Sequence, residues 1–66
     1  MNGVVTEFDE HVGLGVITDG AGTEYPFHCA EIADGTRAIE VGVDVEFDLL
    51  PKLGRVEAGG IAPLRR

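Results

Sequence analysis

From Val43 to Leu49 the chain alternates without a break: Val43, Val45, Phe47 and Leu49 stand at every second position, with Asp44, Glu46 and Asp48 between them. Side chains of a β-strand point alternately to opposite faces, so this period predicts a half-buried strand with one face in a core and a carboxylate stripe in water. Shorter β-branched runs read as four further strands, at Gly3 to Phe8, Gly13 to Thr18, Thr23 to His28 and Arg55 to Leu64, with Val43 to Leu50 as the fourth of five. Turn chemistry separates them. Asp9 to Val12 is a short connection, Asp19-Gly20-Ala21-Gly22 and Asp34-Gly35 offer cheap positive φ beside a carboxylate, and Pro51-Lys52-Leu53-Gly54 closes a hairpin. Pro26 has no N–H, which places it at an edge, a bulge or a strand end, and Gly59-Gly60 weakens the last strand. No stretch keeps an apolar face at helical spacing, leaving only Ala30-Glu31-Ile32 for a single helical turn. The expected fold is all-β: a small five-stranded antiparallel barrel, whose closure would remove the edges that otherwise aggregate.

The 66 residues are expected to form one domain, 1–66, too small for a large catalytic cavity. With 44% hydrophobic and 26% charged residues the composition is globular rather than disordered. Cys29 stands alone, which excludes an intramolecular disulfide and a four-thiolate zinc site and fits a reducing compartment. The opening MNGVVTEFDE has no basic segment leading into an apolar run, and nowhere do enough apolar residues follow one another to span a bilayer. The expectation is a cytoplasmic protein that does not engage membranes.

Charge sharpens the picture. Twelve acids against five bases give a net charge of −7, the wrong sign for nonspecific attraction to phosphates. Up to Thr36 there are seven acids (Glu7, Asp9, Glu10, Asp19, Glu24, Glu31, Asp34) and no Lys or Arg, whereas from Arg37 onward five acids balance five bases. Such a surface is either a solvated coat that keeps a small protein soluble or an acidic face for a basic partner.

The order of residues now carries a resemblance. Gly3-Val4-Val5-Thr6-Glu7-Phe8, Val12-Gly13-Leu14-Gly15-Val16-Ile17, Tyr25-Pro26-Phe27-His28-Cys29-Ala30-Glu31-Ile32 and Glu40-Val41-Gly42-Val43-Asp44-Val45-Glu46-Phe47, through the closing Ala62-Pro63-Leu64, resemble a cold-shock domain over essentially the whole chain. That resemblance implies an OB-type Greek-key barrel that binds single-stranded RNA or DNA without a cofactor. It carries over Phe8, Leu14, Val16, Pro26, His28 and Cys29 as nucleic-acid-binding positions, with Arg37, Lys52 and Arg55 as possible phosphate contacts.

The departures fall on the same positions. Where the family has Lys-Trp-Phe this chain has Thr6-Glu7-Phe8, and where it has Lys-Gly-Phe-Gly-Phe-Ile this chain has Val12-Gly13-Leu14-Gly15-Val16-Ile17. The family's two phenylalanines of the third strand fall on Pro26 and Cys29, so Phe8 and His28 are what remains of the stacking surface. Stacking is worth roughly 1–3 kcal/mol per base, and no cation lies in the first three strands, so weakened or lost affinity is expected. The alternative is a protein-interaction module that uses the same face, with Leu14, Val16 and Pro26 as apolar contacts and Glu7, Asp9 and Glu24 as an acidic rim for a partner that could be basic.

Other chemistry is thin. Gly13-x-Gly15 lacks the third glycine and following helix of a dinucleotide loop, and reads as relief of crowding in a tight barrel. His28 beside Cys29 forms a nucleophile and base only if the strand ends there, and nothing orients the pair. Cys29 reads first as a small apolar filler, and Phe27, on the same strand face as Tyr25, as core. His11, His28, Cys29 and the acids show no recurrent ligand spacing. Neither an enzyme nor a cofactor is expected.

Overall fold

The computed structural model describes residues 1–33, 35 and 38–64. Five strands make one antiparallel sheet: β1 (Asn2–Asp9), β2 (Leu14–Asp19), β3 (Glu24–His28), β4 (Asp44–Lys52) and β5 (Arg55–Pro63). Their spatial order is β3-β2-β1-β4-β5, so the two hairpin-forming segments meet where β1 lies between β2 and β4. A single 3-10 turn over Cys29–Glu31 follows β3, close to the expected Ala30–Ile32. The expected closure differs. Among the described residues no ladder joins β3 to β5; the ends of the sheet approach through packing and one isolated parallel bridge, Ile32 with Ile61, where Ala33 N–H donates to the Ile61 carbonyl at 2.7 Å. The barrel is thus partly open, as OB-type barrels are.

Alternation builds the core. Val45 and Phe47 of β4 are buried while Glu46 and Asp48 are exposed, and Val5, Ile17, Phe27, Ile32, Ala58 and Ile61 complete the apolar cluster. Tyr25 leans on it, its ring centroid 5.4 Å from that of Phe47. Pro26 is accommodated because β3 ends the sheet order, where a missing donor costs little.

Two irregularities break the period. One lies between Val5 and Glu7 of β1, where Thr6 is the extra residue opposite β2. The other lies between Glu46 and Asp48, opposite Gly59 to Ala62, and Gly60 there takes φ +57°, a conformation that L side chains rarely adopt. The β4–β5 turn is also tighter than expected: Pro51 and Lys52 are still in the ladder, paired with Val56 and Arg55, which leaves only Leu53-Gly54 to reverse the chain.

Candidate functional site

Opposed residues of an antiparallel pair share a face, so the registers of β1, β2 and β3 sort their side chains into rows. Val5, Ile17 and Tyr25 form one inward row and Phe8, Gly15 and Phe27 another. The outward rows alternate with these: Val4, Thr18 and Glu24, then Glu7, Val16 and Pro26 between the two inward rows, then Asp9, Leu14 and His28. Thr6, pushed out by the bulge, joins the first of these through a hydroxyl contact of 2.9 Å with Thr18. The alternation of in and out places three carboxylates and four apolar side chains on one surface.

A groove of about 620 Å³ runs along it. Leu14, Val16 and Pro26 form its apolar wall, Glu7 and Asp9 its acidic margin, and Val41 closes it from the segment before β4. Backbone bonds hold that segment in place, since Gly42 N–H donates to the Val5 carbonyl at 2.7 Å and Val5 N–H to the Val43 carbonyl at 3.0 Å. Val41 was not singled out in the sequence. Its only signal was a valine between Glu40 and Gly42 in a linker, 60% exposed once folded.

Phe8 reaches the groove from the inward side. Half-buried, it stacks on Phe27 at 5.9 Å between centroids and 8° between planes. Gly15 makes that stack possible, because a Cβ there would stand 2.4 Å from Phe27 Cζ and 2.8 Å from the Glu7 carbonyl oxygen. The two glycines of the Val12-Gly13-Leu14-Gly15 segment therefore serve packing: at Gly13 a Cβ would stand 2.8 Å from Cys29 Sγ.

His28 is exposed, opposite Leu14, and ends β3. Its Nδ1 accepts the Ala30 N–H at 3.1 Å and so caps the 3-10 turn, which leaves the ring proton on Nε2. Cys29 is half-buried, its N–H bonded to the Gly13 carbonyl at 2.7 Å and its Sγ 3.9 Å from His28 Nδ1. Because Nδ1 is already an acceptor for Ala30, it is poorly placed to take the thiol proton. Among the described residues no three His, Cys, Asp or Glu side chains stand close enough to hold a metal ion.

The margin is fixed by local hydrogen bonds. Asp9 Oδ1 accepts from the His11 and Val12 N–H groups at 3.0 and 3.3 Å and shapes the β1–β2 turn. Asp19 does the same between β2 and β3, accepting from Ala21 and Thr23 N–H at 2.9 Å each and from the Tyr25 hydroxyl at 3.2 Å. The Thr23 hydrogen bond foremost holds the Asp19 carboxyl below its ordinary value, while burial and then the Asp19 contact push the Tyr25 hydroxyl up.

The two described bases, Lys52 and Arg55, stand apart from this face. They are a cross-strand pair at the end of the β4–β5 hairpin and do not line the groove. Arg55 is engaged, Nη2 to Glu57 Oε2 at 2.8 Å and Nε to the same oxygen at 2.9 Å. Arg37 lies outside the described residues, as do Arg65 and Arg66. No Lys or Arg belongs to the rows of β1, β2 and β3.

No family model matches this sequence, and no curated protein sequence matches it. Solved structures do. The chain superposes on drosophila Unr CSD456 with a TM-score of 0.76 and 25% identity over 97% of its length. It spans about a quarter of that longer protein chain, 26%. A likeness that covers nearly every residue, joined to the strand order β3-β2-β1-β4-β5, gives this chain a cold-shock-like OB fold.

Proposed function

We propose that the chain binds single-stranded RNA or DNA with an affinity well below that of a stacking-rich cold-shock domain. The likeness to the cold-shock run of Unr supports the ligand class. The three outward rows support the weakness: across β1 to β3 they present Leu14, Val16, Pro26 and the His28 ring to bases, without a cation and with Glu7, Asp9 and Glu24 among them. The proposed contacts are those side chains, the rim of Phe8 and the Cys29 end of β3, with Lys52 and Arg55, and Arg37 from outside the described residues, reaching phosphates. Phosphate contacts supply most of nonspecific affinity, so a face of carboxylates leaves it weak, and its decline with salt comes from the basic residues outside that face. No catalytic step belongs to this proposal. The half-buried single thiol of Cys29 suits a reducing, cytoplasmic setting.

An amide chemical-shift titration with a short oligothymidylate at low salt tests it. Shifts confined to Leu14, Val16, His28 and their neighbours, fading as salt rises, are expected. Tight binding indifferent to salt, or shifts confined to other faces, would contradict it.

One observation favours a second reading, in which the same face docks protein. Leu14 and Val41, 51% and 60% exposed, both line a groove that Glu7 and Asp9 also line, a surface that suits a protein contact better than a phosphate chain.

A further inference from the structure

Resting on that second reading, we propose that the groove receives an extended basic segment of a partner protein. An apolar anchor of that segment sits between Leu14, Val16, Pro26 and Val41, and flanking Lys or Arg side chains meet Glu7 and Asp9. The apolar wall asks for the anchor: concave apolar surface left in water and rimmed by polar groups is where contacts form. The rim asks for the cations. Two carboxylates border the groove, Glu24 extends their field along the next outward row, and neither Lys nor Arg belongs to these rows, so acidic segments and phosphates are repelled while ammonium and guanidinium groups are drawn in. Charge also argues against a second copy of this chain as occupant, because each copy carries −7. The selected partner is a foreign, basic one.

The test titrates the whole chain into a fluorescein-labelled peptide of three Lys-Leu repeats, followed by anisotropy and by amide shifts. Comparison probes are hexalysine, a Ser-Leu repeat of equal length and a short oligothymidylate. The Lys-Leu peptide is expected to bind about tenfold or more tightly than the other peptides and to shift Leu14, Val16 and Val41. Glu7→Gln with Asp9→Asn should weaken it about three- to tenfold, with the asparagine oxygen still able to hold the His11 and Val12 N–H groups. Val41→Ser, an exposed change outside the ladder, should weaken it about threefold and leave the melting temperature unmoved.

Equal binding of hexalysine would overturn the proposal, since diffuse acidity and not the groove would be at work. Equal binding of the Ser-Leu peptide with the same amide shifts would overturn the basic partner while the face remained a protein-docking surface. If no peptide moves Leu14, Val16 or Val41, the proposal and the second reading fall together. Oligothymidylate shifting those amides more tightly than Lys-Leu would assign the groove to nucleic acid. Sedimentation of the chain alone as a dimer, with these amides protected, would assign it to a second copy.

Discussion

Joint replacement of Glu7→Trp, Val12→Lys, Leu14→Phe and Val16→Phe should turn this face into an effective platform for single strands. Glu7 and Val16 are directly opposed, and Leu14 lies in the next outward row. Opposed side chains in a sheet have Cβ atoms about 5 Å apart, so the first two rings would serve one base step together and the third another. Counting two independent platforms at roughly 1–3 kcal/mol each, the gain is about 2–6 kcal/mol, or about 30-fold in affinity at the least. Losing one carboxylate and adding one ammonium moves the net charge from −7 to −5, which adds to the gain at low salt. Folding should survive, because Val12 and Leu14 are 60% and 51% exposed, Glu7 is exposed, and aromatic residues favour strands. Val16, half-buried, is the position to revert first if the melting temperature falls. The chain has no tryptophan, so the introduced indole is its only one and its quenching by oligothymidylate reads binding directly. A variant with the parent's circular dichroism and melting curve that binds no better than the parent would refute the reasoning: the outward rows would then not be a surface on which bases stack.

Gly15→Ala should lower stability by about 1–3 kcal/mol or more, and the melting temperature by about 5–20 °C, because the new methyl meets both the Phe27 ring and the Glu7 carbonyl; an unchanged melt would show that the Phe8–Phe27 stack is not as tight as described. Asp19 titrates below its ordinary value of 3.8, so the stability it contributes is present above that pH and disappears as pH falls through the lowered native value; Asp19→Asn should flatten this acid limb of the urea midpoint. The Tyr25 hydroxyl is raised above 10.0, so its contribution is intact below that pH and disappears as pH climbs through the raised native value, a limb that Tyr25→Phe should abolish. Lys52→Ser with Arg55→Ser should reduce the salt slope of oligonucleotide binding by about 1.4 if both side chains meet phosphates, and a slope that stays put would remove them as contacts.

The strands were legible because their signal is local. Val43 to Leu49 alternates cleanly in residue type, and Val45, Phe47, Glu46 and Asp48 lie on the sides that the period requires, but Leu49, beyond the irregularity between Glu46 and Asp48, is exposed instead of in the core. Phe27 and Tyr25 on one face of β3, with Pro26 and His28 on the other, follow from the same rule. The turn around Asp19 was legible from its carboxylate and glycines, and its hydrogen bonds are of the kind that such residues make. The bulges were not. Asn2–Asp9 reads NGVVTEFD, which has no clean period, and only pairing with β2 shows that Thr6 is supernumerary and that Phe8 turns inward onto Phe27 while Glu7 turns outward beside Val16.

What the sequence determined by itself, then, was strand content, the acidic first half and the family frame, all of which depend on residue type and near-neighbour spacing. Tertiary structure decided which residues share a surface. The register across β1, β2 and β3 put Glu7 beside Val16 and Asp9 beside Leu14, the segment before β4 brought Val41 against them from more than twenty residues away, and the β4–β5 hairpin carried Lys52 and Arg55 off the groove. A one-residue slip in pairing exchanges the two faces of a strand, so a face is a property of the assembled sheet and cannot be read from any strand alone.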